Sequence, residues 1–267
     1  MHESIRLAAF FGVFLFMAAW ELAAPRRPLT TAKGWRWFAN IGIVVIDTLI
    51  VRFAFPATAT GTALFAESSA SGLFNIIQLP YALTILLSIV LLDLVVYIQH
   101  VGFHLVPMLW RLHKVHHADR DLDVSSGLRF HPLEIIISLG IKVAAILLLG
   151  TPVVAVVLFE VILNATAMFN HSNVRLPLAL DRVLRWVLVT PDMHRVHHSV
   201  DGREYNTNYG FNLPWWDRIF RTYCAQPAKG HDAMTIGLAD YQDRPLESLG
   251  WMLLLPFRRV PKSSSER

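Results

Sequence analysis

Long apolar stretches alternate with short polar ones along the first two thirds of the chain, and a mixed pattern follows. A bilayer core about 30 Å thick takes roughly 20 apolar residues of helix to cross. Ile5–Ala24 meets that length with one charge near each end, Arg6 and Glu21. Its flanks do not fit a cleaved leader: the basic start is nearly absent, and Ala23-Ala24-Pro25-Arg26-Arg27 is a poor cleavage site. A second span is predicted over Trp37–Phe55, with Asp47 and Arg52 inside it. A third covers about Leu79–Gln99, interrupted only by Asp93. The Ala/Ser/Thr/Gly-rich stretch between the second and third spans reads as a loop. A further apolar region, Leu133–Phe169, is divided by Gly150-Thr151-Pro152 into halves of under 20 residues each. It reads as a hairpin that enters the membrane and returns, delivering His171 to the side it left. Lys142 and Glu160 lie within it, and charges at membrane depth usually face protein or a cavity.

Composition agrees with these spans. Hydrophobic residues are 54% of the 267 and charged residues 16%, against about 25% charged in soluble domains; mean hydropathy is +0.43. The single cysteine, Cys224, excludes an internal disulfide and a cysteine-rich zinc module. Net charge is +4, which suits basic loops against anionic lipid, and no nucleic-acid module is visible. Orientation follows the loop cations. Arg26, Arg27, Lys33 and Arg36 lie between the first two spans with no acid, whereas the next loop carries only Glu67. The first loop is therefore expected in the cytoplasm, and the third span returns the chain there. After about Arg175 the chain is soluble-looking, and it ends in a basic, serine-rich tail, Arg258–Arg267. The predicted fold class is an all-α membrane bundle of four or five segments capped by short cytoplasmic helices. The expected divisions are 1–90 for the N-terminal spans, 91–225 for a catalytic domain with the hairpin near 133–170, and 226–267 for a C-terminal extension.

Histidine is the anomaly. Ten of the 12 lie between His100 and His198. They form His100-x-x-x-His104 at the end of the third span, His113-x-x-His116-His117, the single His131 and His171, and His194-x-x-His197-His198. Helical residues three and four apart share a face, while adjacent ones diverge by about 100°. In H-x-x-H-H the neighbouring pair can thus serve two ions a few ångströms apart. The two copies supply six nitrogens, and His100, His104 and His171 raise the number to nine, enough for two ions with a position open on each. Imidazole suits zinc, iron, copper and nickel. Glu-x-x-His, His-Glu-x-x-His and Cys-x-x-Cys are absent. His131 is a further candidate ligand or a neighbour of the ligands, and His2 and His231 read as surface residues. A proton relay would need groups filed across the membrane rather than gathered at one face.

In order and spacing these motifs resemble the fatty acid hydroxylase superfamily, also called the sterol desaturase family. Trp110-Arg-Leu-His-Lys-Val-His-His117, Arg129-Phe-His-Pro-Leu-Glu134, Phe169-Asn-His-Ser-Asn173, Pro191-Asp-Met-His-Arg-Val-His-His198, Asn206-Thr-Asn-Tyr-Gly210 and Trp216-Asp-Arg-Ile-Phe220 carry the resemblance, over roughly Leu92–Tyr223. Val101 and Arg221 depart from residues common in the family, arginine and glycine respectively, and neither is a candidate ligand. The resemblance implies a di-iron, O2-dependent lipid hydroxylase or desaturase acting on an acyl, sterol or carotenoid-type substrate. His100, His104, His113, His116, His117, His171, His194, His197 and His198 would be its ligands and catalytic residues, and zinc competes for such a site on purification. No residues are assigned to an organic cofactor, because a haem-binding domain, a flavin fingerprint and Fe–S cysteines are all missing. An external electron donor of ferredoxin or cytochrome type is therefore expected, with Arg195, Arg203, Arg218 and Arg221 as its candidate docking patch. Asp93, Asn164, Asn206 and Asn208 lie near the cluster in the sequence; Asp192 and Asp217 are the expected hydrogen-bond partners of the ligands, and Trp110, Trp215 and Trp216 the expected interfacial anchors. Two rivals remain: a zinc-dependent lipid hydrolase, and a metal transporter or sensor.

Overall fold

The computed structural model describes residues 2–55, 58–243 and 248–258, with the side chains of His2 and Glu3 left aside. The expectations for the His2 side chain and for the tail beyond Arg258 therefore fall outside the described residues. Those residues form helices α1 (His2–Ala23), α2 (Lys33–Ala54), α3 (Ala59–Ser68), α4 (Leu73–Ile76), α5 (Tyr81–Leu105), α6 (Pro107–His117), α7 (Pro132–Leu149) and α8 (Val153–Asn170). Short helices follow: α9 (Leu178–Leu184), α10 (Pro191–His197), α11 (Gly202–Tyr205), α12 (Trp215–Ile219), α13 (Gly230–Ala233) and α14 (Leu249–Leu254). Among the described residues β pairing is limited to two isolated bridges, Pro25 with Val174 and Ser199 with Ile236.

Among the described residues, five stretches are long and apolar enough to cross a bilayer: Ser4–Ala23, Lys33–Ile76, Tyr81–Leu105, Pro132–Leu149 and Val153–Asn170. The protein is a multi-pass membrane protein. α8 is the hub, with 56% of its apolar window buried against 11–28% for the other four; α1, α3 and α5 all pack on it. The third span runs further than expected, to Leu105, so His100 and His104 lie on the span itself.

Capping residues set several boundaries. His131 caps α7 by accepting from the Leu133 amide (3.2 Å), and Pro132 follows at the first helical position, where its missing N–H costs nothing. Gly150 ends α7 in the left-handed conformation, φ +67°. Gly72, φ +95°, crosses this turn so closely that an added Cβ would stand 2.2 Å from the Gly150 nitrogen.

The expectation of a loop between the second and third spans is corrected. That stretch contains α3 and α4, and α3 buries Ala59, Ala63 and Ala66 against α7 and α8. Small side chains let helices approach closely, which a composition reading takes for loop chemistry. Glu67, at the end of α3, accepts from the Val153 amide (2.9 Å) and so caps α8.

Glu160 and Arg36 show how charges within the bundle are paired. Glu160 on α8 meets Lys142 of α7 (3.1 Å) and Arg6 of α1 (3.0 Å). Buried Arg36 of α2 grips the segment after α6 through Asp119 (2.8 and 2.9 Å) and Asp123 (2.7 Å). Burial alone would raise the Asp119 carboxyl, but Arg36 and Arg129 outweigh it and hold that carboxyl well below the usual range. Glu21 accepts from the Val124 (2.6 Å) and Asn173 (2.9 Å) amides, tying both segments that flank the histidines to α1.

Candidate metal centre

Four elements bring the nine histidines together. α5 supplies His100 and His104 from its last turns, and α6 supplies His113, His116 and His117. His171 follows the end of α8; α10 provides His194 and His197, with His198 at its C-terminus. Pro107 opens α6 and Pro191 opens α10, the latter capped by the Thr190 hydroxyl, which accepts from the Met193 amide.

The ring nitrogens fall into two groups. His100, His104, His113, His117 and His197 form one, and His116, His171, His194 and His198 the other; within each, one nitrogen per residue lies within 4.8 Å of all the rest. Each H-x-x-H-H gives its first and last members to one group and its middle member to the other, as the divergence of adjacent helical residues requires. The groups abut, with the His117 and His198 rings stacked 4.5 Å apart. All nine are buried except His104, which is partly exposed beside Trp110 (5.0 Å).

Hydrogen bonds reveal which nitrogens are free. The Nδ1–H groups of His100, His171 and His197 donate to the carbonyls of Tyr209 (2.8 Å), Ala167 (2.8 Å) and Thr207 (2.7 Å). His113 Nδ1–H donates to Glu134 Oε1 (2.7 Å). In a neutral ring, Nε2 is then a bare lone pair. Yet His100 Nε2 and His113 Nε2 face each other at 3.1 Å, and His171 Nε2 stands 3.0 Å from Nε2 of both His116 and His194. The lone pairs of His100 and His113 cannot satisfy each other; a cation held between them can. With metal–nitrogen bonds of about 2.1 Å, ligands at right angles stand about 3.0 Å apart, so the spacing fits a shared ion. Burial pushes His113 and His171 down to about 3, and burial with neighbouring histidines pushes His116, His117, His194, His197 and His198 well below the ordinary value. Neutral imidazole is the form a metal takes. The all-nitrogen set suits iron, zinc, copper or nickel.

Several expectations about the surroundings are corrected. His131 stands outside both groups, its nitrogens engaged by the Leu133 amide and the Leu253 carbonyl (3.2 Å). Asp192 touches none of the nine; it pairs with Arg195 and Arg26 and lies 3.7 Å from His231. Asp217 acts one step removed, accepting from the Tyr209 and Gly210 amides (2.8 Å each) and so fixing the loop whose Tyr209 carbonyl holds His100. Burial raises its carboxyl to about 6 against those hydrogen bonds. His231 is buried, not a surface residue, and burial lowers it to about 4. Arg195 is buried and leaves the expected docking patch, while Arg203 and Arg221 stay exposed. Trp216 is buried with its Nε1–H on Asp93 (2.8 Å), so it packs rather than anchors; Trp215 is 40% exposed.

Glu134 is the residue that sequence reasoning missed. Its signal was present: a carboxylate in the first turn of an apolar helix, three residues after His131.

A family model described as fatty acid hydroxylase matches residues 85–222. The chain is 31% identical over 153 residues to an ornithine lipid hydroxylase, OlsE, of Rhizobium tropici, covering 56% of this chain and 44% of that protein. It is 32% identical over 127 residues to alkylglycerol monooxygenase of Homo sapiens, covering 47% and 27%, and 27% identical over 163 residues to that of Xenopus tropicalis, covering 58% and 34%. These matches span less than half the length of each relative. No solved structure matches.

Proposed function

This chain belongs to the fatty acid hydroxylase family, and on that premise we propose that it is a membrane di-iron oxygenase that hydroxylates a lipid. The observation that carries the reading is the pair of buried histidine groups whose ring nitrogens converge at about metal-ligand spacing, the bare Nε2 atoms of His100 and His113 facing each other among them. The relatives support the reaction class, being a lipid hydroxylase and monooxygenases by name. When bound, two iron ions would supply O2 activation and removal of hydrogen from an unactivated C–H bond. His100, His104, His113, His117 and His197 would hold one ion; His116, His171, His194 and His198 the other.

The chain's own residues do the rest. Tyr209, Ala167 and Thr207 carbonyls and the Glu134 carboxylate lock four rings with Nε2 inward. Phe130 stacks on His116 at 4.5 Å, and Phe211 lies 6.1–6.3 Å from His100, His171 and His194, so aromatic faces exclude water. The centre grows from the last turns of a membrane helix, which lets an acyl, sterol or carotenoid-type lipid present one carbon without leaving the bilayer. The cations between α1 and α2 support a cytoplasmic centre, fed there by a ferredoxin- or cytochrome-type donor. We divide the chain into membrane spans (1–90), catalytic domain (91–225) and C-terminal extension (226–267), and the matched range supports that division. A zinc hydrolase is less well supported, because the carboxylate nearest the rings, Glu134, is spent on His113.

The test is lipid profiling by mass spectrometry of iron-supplied, lipid-producing cells expressing the chain or its His113→Ala/His197→Ala variant. A product heavier by one oxygen that is absent with the variant is expected. A product lighter by two hydrogens would replace hydroxylation with desaturation. No oxidised lipid, despite full metal occupancy and a supplied reductant, would overturn the oxygenase reading.

A further inference from the structure

The segment after Arg175 looks soluble by composition, but its outer face is not. Around α9 the chain exposes Val183 (65%), Trp186 (61%) and Val187 (55%); around α12 it exposes Trp215, Ile219 (63%) and Phe220 (53%). The two regions are joined. Trp215 Nε1–H donates to the Trp186 carbonyl (2.7 Å), and the Arg218 guanidinium lies 4.2 Å over the Trp186 ring while donating to the Arg185 carbonyl (3.0 Å). Exposed apolar patches of this kind mark a protein or membrane contact.

Position decides between those partners. Phe220 stacks on Tyr97 of α5 (5.4 Å), and Trp216 bonds Asp93 of the same helix. Tyr97 and Asp93 precede the helix end at Leu105 by 8 and 12 residues, about 12 and 18 Å along the axis. The patch thus runs beside the membrane-crossing part of α5, whose Ile98 is itself exposed (57%). Charge agrees. The acids of α9 and α12 are withdrawn: Asp181 pairs with Arg185 (2.6 Å), and Asp217 is buried on backbone amides. Arg182 and Arg221 remain exposed, and cations of this kind pair favourably with lipid phosphates.

We propose that α9 and α12 form a membrane-embedded face that does not cross the bilayer, its apolar side chains among acyl chains and its arginines at phospholipid phosphates. This inference stands on the membrane fold and is independent of the oxygenase reading. Its consequence is spatial. From Phe220 the rings of Tyr97, Tyr209 and His104 follow at 5.4, 6.3 and 5.1 Å, so lipid reaches to within three ring contacts of the histidines.

The test uses the full chain, loaded with diamagnetic zinc, in nanodiscs of phosphatidylcholine and phosphatidylglycerol. Single nitroxides are placed at Val183→Cys, Val187→Cys, Ile219→Cys and, as the aqueous reference, Arg203→Cys, all on a Cys224→Ser background. Collisional relaxation by oxygen and by a water-soluble nickel chelate is compared. The oxygen-to-nickel ratio should be roughly tenfold or more higher at the first three sites than at the fourth, because hydrocarbon excludes polar solutes. Nickel access equal to that at the reference site overturns the proposal in favour of an aqueous face. Shielding from both reagents overturns it in favour of a protein partner. Without labels, quenching of tryptophan fluorescence by brominated lipid should fall in Trp186→Phe/Trp215→Phe; an unchanged quenched fraction contradicts the proposal.

Discussion

The two histidine groups are built from the same motif but held in different ways. In the five-histidine group, three rings are oriented by hydrogen bonds: His100 to Tyr209, His113 to Glu134 and His197 to Thr207. One member, His104, is partly exposed. The four-histidine group is wholly buried, and only His171 has such an anchor, on Ala167. The Nδ1 atoms of His116, His194 and His198 find no hydrogen-bond partner among the described residues. Packing orients them instead, with Phe130 against His116 and His117 against His198. An imidazole can thus be aimed by a polar partner behind it or by walls beside it. The first device tunes basicity as well as direction; the second fixes direction alone.

Acid should dissolve this difference, and it is the largest effect expected. His113 and His171, one from each group, are both lowered by burial to about 3, against an ordinary 6.5. Between those values the unfolded chain binds protons that the folded chain refuses, so stability is full above the ordinary value and declines as pH falls toward 3. The thermal midpoint of the metal-stripped protein in nanodiscs should therefore drop between pH about 7 and pH about 5. A flat or rising midpoint would show that these rings are not held neutral by the fold.

A smaller and more selective effect is expected of Glu134→Gln. It keeps the shape but weakens the acceptor behind His113, and changes of this kind cost roughly 10–100-fold in metal affinity. Chelator competition should show that loss for one ion of the pair, the other leaving as in the unaltered protein. Equal weakening of both ions would erase the distinction between the groups.

The legible parts of the molecule were those written in side-chain type. Apolar windows marked α1, α2, α5 and the α7–α8 hairpin, and the i, i+3 and i+4 spacing of histidines anticipated how each motif divides between two groups. Backbone atoms leave no such trace. The partners of His100, His171 and His197 are carbonyls, which any residue could have supplied. Nearness in sequence also misled. Asp192 lies two positions before His194, about 200° around the helix, so it faces Arg26 and His231 rather than the clustered rings. α3 escaped notice because Ala59, Ala63 and Ala66 gain their helical role from their burial within the bundle.

The most direct measurement is the metal content and ligand shell of the purified, iron-supplied protein, by elemental analysis and X-ray absorption, alongside His171→Ala. The account predicts two ions per chain in a nitrogen-rich shell dominated by imidazole, with the variant retaining only the ion of the five-histidine group. A single ion in the unaltered chain, a shell without imidazole, or a variant that still holds both ions would contradict it.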